Sequence, residues 1–440
     1  MHVLPRVAEL HHRFENELVV IGVHAGKFPA ERSTDRIRAA CARLGVAHPV
    51  VNDRQFRVWH SYAVQAWPTV VLVSPDGRVV GSHAGEFRTG DLASAIENVI
   101  DEHPRAGTLD ETPRDFGADP NALAPPTGPL YFPGRVTVDG ERLFVADTGH
   151  HRVLELRLVD GTRAEIVRAF GSGRAAFADG PADVASFREP QGLAIDGGRL
   201  YVADRANHAL RAVDLGTGAV STLAGTGELA DTGIHPGPGT ATSLRSPWDV
   251  AVSGGGLYVA MAGSHQLWRL DLATGQIAPF AGTGGEAIGD GPAGRALLAQ
   301  PMGIAAAGDT LAFCDAESSA VRTVDARPDA DVRTLVGTGL FDFGDVDGVG
   351  DDARLQHVEA LAWLGDRVVV SDTLNDKLKW VDPATRACTT MPSDAGSGDA
   401  LDHPGGIAIA GNTLLVADTD AHRIATVDPA TGAVATLEIV

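Results

Sequence analysis

Cysteine is scarce in this 440-residue sequence, which contains only Cys41, Cys314 and Cys388. The three are far apart, odd in number and form no Cys-x-x-Cys pair. This pattern argues against a disulfide framework and a cysteine-rich zinc site, and it is typical of proteins in a reducing compartment. We therefore expect a cytoplasmic location.

Long apolar runs are missing, and basic residues are outnumbered. No stretch of 18 apolar residues could span a bilayer, and residues 1–14 are too polar for a secretory signal peptide. The formal net charge is -21, and residues 126–440 hold 23 basic and 41 acidic side chains. Such a surface repels phosphate backbones and anionic lipids, so we expect neither nucleic acid nor a membrane as partner.

Familiar catalytic and metal-binding motifs are also missing. The sequence has no His-Glu-x-x-His zinc motif and no Gly-x-Ser-x-Gly nucleophile elbow. The adjacent histidines at 11–12 and 150–151 point in different directions on a helix or strand and chelate poorly. The segment Asp345–Asp352 lacks the fifth- and twelfth-position ligands of a calcium loop. We predict no bound metal and no cofactor.

Glycine, by contrast, is abundant, and a repeat fills the C-terminal two-thirds of the chain. Six segments share a Pro-x-Gly-like turn, a short strand and a second strand ending in Ala-Asp. The turn positions are Pro133, Pro190, Pro247, Pro301, Val358 and Pro404, and the second strands end at Asp147, Asp204, Met261, Asp315, Asp372 and Asp418. Both series advance by 57, 57, 54, 57 and 46 residues. Four short alternating strands per unit are typical of a propeller blade, so residues 131–440 are predicted to form a six-bladed, all-β propeller.

The repeat leaves two roles open for its polar residues. The five repeated aspartates, Asp147, Asp204, Asp315, Asp372 and Asp418, could form an active ring or support the turns; five equivalents in one register favour the structural role. The glycine-rich loops between blades could be simple connectors or functional loops on a rigid scaffold. Because the sixth unit has its own fourth strand, we expect the ring to close by blade packing rather than by an exchanged strand.

Residues 1–104 alternate strand and helix patterns and predict a separate α/β domain. A buried strand is predicted at Leu18–Val23, a helix at Ala30–Leu44 and a hairpin at residues 69–81. Cys41 lies within that helix and is predicted to be an inert core thiol. Residues 105–130 are rich in proline and poor in apolar residues, which predicts an extended linker.

Particular stretches carry a resemblance to known families. Val145–Val153 and Val416–Ile424 both contain Val-Ala-Asp-Thr followed by His-Arg, and they resemble the NHL repeat. The element order of residues 1–104, with Trp67, Pro68 and Thr69 before an apolar strand, resembles a thioredoxin-like fold. Nearly the full chain is similar to the NHL-repeat-containing protein 2 family and its bacterial relatives.

The resemblance to thioredoxins implies roles for particular residues. Pro68 matches the family's cis-proline, so the Trp67–Pro68 bond is predicted to be cis. His2 and Pro5 match the remainder of the redox helix, whose cysteine pair and preceding strand would then lie before Met1. We expect a start placed too late rather than a redox-dead paralogue, because a thioredoxin sheet without its central strand loses a large apolar contact surface.

Three functions therefore remain open. The first is a thioredoxin-derived protein without catalytic residues, whose propeller binds a protein or peptide partner. The second is a thiol–disulfide oxidoreductase or peroxiredoxin-like enzyme in a longer form of the chain. The third is a metal-dependent propeller hydrolase or lyase, which we rank last because only Asp249 and Glu359 are expected near the central channel.

Overall fold

The structure is a computed structural model that describes residues 2–110, 112, 116, 126, 128–230, 235–392 and 400–440. It divides the chain into two compact units, residues 1–125 and 126–440. Most of the predicted linker, 105–130, lies outside the described residues. The predicted boundary at 104 falls inside a helix that runs to Ala106, and Leu130 is buried in the core of the second unit.

The first unit alternates helices and short strands, as predicted for a thioredoxin-like domain. Its elements are α1 (Val3–Arg13), β1 (Gly22–His24), α2 (Thr34–Arg43), β2 (Val50–Asn52), α3 (Arg57–Ser61), β3 (Thr69–Val73), β4 (Val79–Ala84) and α4 (Thr89–Ala106). β1 pairs with β2 in parallel, and β3 pairs with β4 in an antiparallel hairpin. The strand predicted at Leu18–Val23 is shorter and later than expected, and a separate 3-10 turn covers Ala30–Arg32.

Two faces of the first unit differ in burial. Leu10 of α1 and Phe14, which follows α1 directly, pack against Ala93 and Ile96 of α4 and form its main core. Around β1, however, Val19, Ile21 and Val23 are 45%, 56% and 44% exposed. The parallel pair β1–β2 and the hairpin β3–β4 thus belong to separate sheets, and apolar side chains beside β1 stay in contact with solvent.

The second unit is a six-bladed β-propeller, as the repeat predicts. Blade one contains β5 (Pro133–Asp139), β6 (Arg142–Asp147), β7 (Arg152–Leu158) and β8 (Arg163–Phe170). Blade two contains β9 (Pro190–Asp196), β10 (Arg199–Asp204), β11 (Ala209–Asp214) and β12 (Val220–Ala224). Blade three contains β13 (Gly237–Pro238), β14 (Pro247–Ser253), β15 (Gly256–Met261), β16 (Gln266–Asp271) and β17 (Gln276–Ala281).

The remaining blades follow the same plan. Blade four contains β18 (Gly291–Pro292), β19 (Pro301–Ala307), β20 (Thr310–Asp315), β21 (Ala320–Asp325) and β22 (Asp331–Val336). Blade five contains β23 (Gly348–Val349), β24 (Ala360–Leu364), β25 (Arg367–Asp372), β26 (Lys377–Val381) and β27 (Ala387–Thr390). Blade six contains β28 (Pro404–Ala410), β29 (Thr413–Asp418), β30 (Arg423–Val427) and β31 (Val434–Thr436). In blades three to five, the two-residue strands β13, β18 and β23 come from the preceding loop and pair with the outermost strand of the blade.

Local turn chemistry and packing explain this fold. Each blade's first hairpin has at least one glycine with positive φ, where a side chain would be strained: Gly140, Gly198, Gly255, Gly308, Gly365 and Gly411. Six hydrophobic clusters lie between neighbouring blades, one at each junction. The first strands of the six blades contact one another in a closed ring around the central channel.

The ring closes differently from our expectation. A final strand, β32 (Glu438–Ile439), pairs in parallel with β8 of blade one, where Glu438 faces Arg163 and Ile439 faces Ala164. The outer edge of β8 offers unpaired backbone groups, and the last residues of the chain are long enough to reach them. Blade packing alone was therefore the wrong expectation. Within the described parts of the chain, no helix combines the length and apolarity needed to cross a membrane.

Candidate functional site

The loop before β3 in the first unit has the predicted geometry. The Trp67–Pro68 peptide bond is cis. The indole Nε1 of Trp67 donates to the carbonyl oxygen of Ala25 at 2.7 Å, and its ring centroid lies 4.5 Å from that of Trp59. Thr69 Oγ1 donates to Ala66 O at 2.7 Å and closes the loop. The result is a half-exposed aromatic surface around Trp67, which is 45% exposed.

Asp53 fixes the helix that carries this surface. Its carboxylate accepts hydrogen bonds from the backbone amides of Arg57 at 2.7 Å and Trp59 at 2.8 Å, at the start of α3. Burial alone would raise the pKa of Asp53, but the amide hydrogen bonds outweigh it and lower the pKa. Asp53 therefore acts as an anionic cap that orients Trp59 toward Trp67.

The three thiols are placed for packing rather than for chemistry. Cys41 is 7% exposed and packs with Ile37 and Val46, while Cys314 and Cys388 are fully buried in one inter-blade core. Burial raises the pKa of Cys388 to about 12 and that of Cys314 well above the ordinary thiol value. A thiol held neutral and inaccessible is a poor nucleophile.

The residues that resemble the redox helix lie at the start of α1. His2 is buried, with Nδ1 2.6 Å from Glu86 Oε1, and Pro5 lies in the first turn of the helix. Pro is well tolerated there, because the first amides of a helix have no partner within the helix. Neither side chain brings a thiol to the loop of Pro68, so their redox assignment stays a prediction.

In the propeller, the five repeated aspartates occupy equivalent buried positions. Each side chain is fully buried and accepts a hydrogen bond of 2.6–2.8 Å from the backbone amide sixteen residues earlier. The pairs, with each aspartate first, are Asp147–Tyr131, Asp204–Arg188, Asp315–Ala299, Asp372–Gln356 and Asp418–Asp402. The aspartates thus tie the end of each second strand to the segment that enters the same blade.

A cation compensates each buried aspartate, from one of two positions on the third strand. Arg152 and Arg423, five residues after their aspartates, bind Asp147 and Asp418 at 2.8 and 2.7 Å. In blades two, four and five the cation is instead seven residues later: Arg211, Arg322 and Lys379. Burial nevertheless raises the pKa of Asp204, Asp315 and Asp418 to about 6 and that of Asp372 to about 7, against the pull of these cations.

Blade three uses a neutral version of the same arrangement. Met261 stands at the aspartate position, and Gln266 and Trp268 stand five and seven residues later. Trp268 Nε1 donates to Gln266 Oε1 at 3.1 Å, and Gln266 Nε2 donates to Gly282 O at 3.0 Å. Blade three therefore has no buried charge at this position.

The aspartates of the acidic loops between blades bind side chains and backbone amides of the propeller itself. Asp179 accepts hydrogen bonds from Arg211 Nη2 at 2.7 Å and from the amide and hydroxyl of Thr222 at 3.0 and 2.8 Å. Asp290 and Asp347 make the equivalent contacts in blades four and five. These contacts favour the connector interpretation of the glycine-rich loops.

The segment with a faint likeness to a calcium loop binds lysine instead. Asp345 pairs with Lys377, and Lys379 Nζ lies 2.8 Å from Asp345 and 3.2 Å from Asp347. Among the residues that the structure describes, no group of three or more histidine, cysteine, aspartate or glutamate side chains is arranged to hold a metal ion.

A buried arginine crosses the central channel. Arg135 enters from blade one, and its Nη2 donates to the carbonyl oxygens of Met302 at 2.9 Å and Glu359 at 2.5 Å. Its Nε faces Asp249 Oδ2 of blade three at 3.4 Å, and Asp249 also accepts the amide of Ile304 at 3.2 Å. Asp249 thus lies beside the channel as expected, but its carboxylate forms an ion pair with Arg135.

Above this arginine, at the end of the channel where the first strands begin, lies a non-repeating polar cluster that we call the channel mouth. His357 Nε2 and His403 Nε2 lie 3.5 and 3.4 Å from Glu359 Oε1. His403 Nδ1 lies 3.9 Å from Asp420, and His357 Nδ1 lies 3.9 Å from Glu317. These five residues come from blades four, five and six. Trp248 and Met302 pack together beside them and add an apolar wall.

Sequence reasoning missed most of the channel mouth, although a signal was available. The residue after each turn position varies along the repeat: blades one and six have glycine, and the other four blades have four different residues. In blade order they are Gly134, Gln191, Trp248, Met302, Glu359 and Gly405. A position that the repeat does not constrain is free to serve function. Departure from the repeat, rather than the repeat itself, therefore marks this site.

Comparisons with known proteins agree with both units. Residues 1–79 match the family model described as thioredoxin-like, and residues 187–212 and 244–270 match the NHL repeat. The chain is 38% identical to NHL repeat-containing protein 2 of Gallus gallus, over 91% of this chain and 58% of that protein. It is 35% identical to the chloroplastic protein SUPPRESSOR OF QUENCHING 1 of Arabidopsis thaliana, over 91% of this chain and 39% of that protein.

The chain therefore spans 58% and 39% of the lengths of these two curated relatives. Among solved structures, a chain of a nidogen/laminin complex superposes with a TM-score of 0.48 and 15% identity, covering 68% of this chain and 92% of that one.

Proposed function

Since the chain is a homologue of NHL repeat-containing protein 2, with a thioredoxin-like domain followed by a six-bladed NHL-repeat propeller, we propose that it is an interaction scaffold whose channel mouth binds a protein or peptide partner. The observation that carries this proposal is the contrast between side chains that recur in the blades and side chains that do not. The repeated aspartates and the loop aspartates recur with the same contacts inside the scaffold, whereas the side chains at the channel mouth differ from blade to blade.

The chemistry of the channel mouth supports a macromolecular partner. Arg135 and Asp249 meet across the channel below it, and Arg135 also binds the carbonyl oxygens of Met302 and Glu359 there. The side chains of the channel mouth are mostly buried, with exposed fractions from 6% for Asp420 to 23% for Glu317. A recessed group of carboxylates and histidines beside an apolar wall offers hydrogen-bonding and apolar groups to a protein or peptide partner. We place this activity in the cytoplasm, away from nucleic acids and membranes.

Affinity capture with matched variants tests this proposal. In a double variant, Glu359→Gln keeps side-chain size at the channel mouth, and His403→Asn keeps a polar side chain that tolerates the positive φ of this position. Asp428→Asn alters an exposed turn at the opposite end of blade six. We expect proteins retained by wild type and by Asp428→Asn to be lost from the double variant, with equal melting temperatures for all three. Equal retention by all three would refute the channel mouth as the contact surface.

A second candidate, disulfide chemistry in a form extended before Met1, is favoured by one observation. Val19, Ile21 and Val23 stay exposed beside β1, where a further strand would cover them. An extended form that contains a cysteine pair should reduce a model disulfide and melt at a higher temperature than the 440-residue form. An extension that lacks cysteine, or that leaves the melting temperature unchanged, would refute this candidate.

The third candidate, a metal-dependent hydrolase or lyase, receives no such support. It requires ligands that converge on one point, and among the residues that the structure describes no group of three or more histidine, cysteine, aspartate or glutamate side chains is arranged in that way. We do not propose it.

A further inference from the structure

A hydrogen bond between blades recurs at all six junctions of the propeller. The fourth residue after each second-strand end accepts it from the backbone amide just before the turn position of the next blade. The acceptor–donor pairs are His151–Glu189, His208–Ser246, His265–Gln300, Ser319–His357, Asp376–His403 and His422–Phe132. All twelve residues have positive φ, between 47° and 67°. The same backbone conformation and the same hydrogen bond thus recur at each junction between blades.

At four of the six junctions the acceptor is the Nδ1 atom of a histidine, and both junctions that flank blade one are among them. His422 Nδ1 accepts from Phe132 at 3.0 Å and joins blade six to blade one. His151 Nδ1 accepts from Glu189 at 3.3 Å and joins blade one to blade two. An imidazole accepts through Nδ1 only when it is neutral and carries its proton on Nε2. Protonation places a second N–H against the backbone N–H, so that two donors face each other.

We propose that His151 and His422 are pH-operated latches on the two junctions of blade one, which open when their imidazoles gain a proton. Blade one is also where the ring closes through β32, so both latches hold the closing blade. Their opening would loosen the blade from both of its neighbours. The proposal is independent of the proposed partner binding.

The surroundings of both rings determine the direction of the effect. Burial lowers the pKa of His151, and Arg188 and His150 lower it further, while Asp147 acts in the opposite sense. Burial also lowers the pKa of His422 and His150 adds to this, while Asp420 and Asp147 oppose it. Beside His151, Glu189 of blade two is paired with Arg205. Beside His422, the rings of Tyr131 and Phe132 pack against the imidazole.

The sign of the linkage follows from these shifts. A histidine whose folded pKa lies below its unfolded value of about 6.5 stabilises the fold fully above that value. This stability is lost as the pH falls through the lower folded pKa. The latches are therefore closed at neutral pH and open in mildly acidic solution.

Hydrogen exchange of backbone amides in the full chain measures the latches directly. The amides of Phe132 and Glu189 bind histidine, whereas the amide of His357 binds the hydroxyl of Ser319 and serves as the internal control. After correction for intrinsic exchange rates, we expect protection of Phe132 and Glu189 to fall at least tenfold from pH 7.5 to 5.0 relative to His357. An equal change at all three amides would overturn the proposal.

Variants provide an independent measurement. Asparagine keeps a side-chain acceptor near the Nδ1 position, does not titrate and tolerates positive φ. We expect His151→Asn with His422→Asn to remove most of the loss in melting temperature between pH 7.5 and 5.0, whereas His12→Asn, at an exposed position in α1, leaves it unchanged. A double variant that folds and keeps the wild-type loss would contradict the proposal.

Discussion

Arg211 donates through Nη1 to Asp204 at 2.7 Å, with both side chains fully buried. The same guanidinium reaches Asp179 of the preceding loop through Nη2 at 2.7 Å. One arginine therefore connects the strand end, the third strand and the glycine-rich loop of blade two. The same relationship, with Arg322 and Lys379, recurs in blades four and five.

This relationship predicts the outcome of a double-mutant cycle. Arg211→Met should destabilise the propeller by about 3–5 kcal/mol, because it leaves a buried carboxylate without its cation. Adding Asp204→Asn should restore part of the loss, since the amide oxygen still accepts the Arg188 amide and carries no charge. Urea denaturation measures both. A double variant less stable than Arg211→Met alone would show that the pair is not coupled in this way.

The buried aspartates also predict a pH dependence opposite to that of the histidine latches. The pKa of Asp372 is raised to about 7 by burial, despite nearby Lys379. Its contribution is therefore fully present below the unfolded value of about 3.9 and is lost as the pH rises through about 7. Because the aspartates and the histidines both change the stability of the propeller with pH, the contribution of Asp372 is isolated by comparing wild type with Asp372→Asn. Between pH 6 and pH 8.5, the melting temperature of wild type should fall more than that of Asp372→Asn. An equal fall in both proteins would contradict the prediction.

Ring closure depends on the last three residues. Removing residues 438–440 deletes three backbone hydrogen bonds to blade one: Glu438 N to Thr162 O, Val440 N to Ala164 O and Ile166 N to Val440 O. Each hydrogen bond contributes about 0.5–1.5 kcal/mol, so we expect the free energy of unfolding to fall by about 2–4 kcal/mol. Ile439→Thr keeps the backbone pairing and should cost less. Equal stability of truncated and full-length chains would show that blade packing suffices.

The burial of the thiols predicts their reactivity. In the native 440-residue chain, Cys41, Cys314 and Cys388 should react with a thiol reagent only slowly, and all three should react after unfolding in urea. Disulfide reductase activity should not exceed that of a variant with all three replaced by serine. Activity that is abolished by Cys41→Ser would make Cys41 a catalytic residue and contradict this account.

The sequence predicts the repeated parts of the molecule well, because six copies report the same local requirement. Asp147 and Asp418 share spacing, turn and cation, so their blades are recognisable without a structure. The cation of Asp204 is harder to assign, since it moves from the fifth to the seventh following residue. The predicted role of these aspartates as turn supports stays a proposal until the double-mutant cycle is measured.

Features that join distant parts of the chain were not predictable in the same way. Phe132 and His422 are 290 residues apart, and only closure of the ring brings them together. Arg135 likewise meets Asp249 only across the channel. A signal for the latches existed, since histidine recurs four residues after the second-strand end in four of six blades. As an adjacent pair, His150 and His151 predict only a poor metal chelator.

The central claim, that the channel mouth is the contact surface of an interaction scaffold, is tested most directly by site-specific photo-crosslinking in cells. A photoreactive residue at Glu317 lies in the channel mouth, and one at Thr431 lies in the turn at the opposite end of blade six. The account predicts a discrete crosslinked protein partner from position 317 that is absent from position 431. No crosslinked partner at 317, or the same partners at both positions, would contradict it.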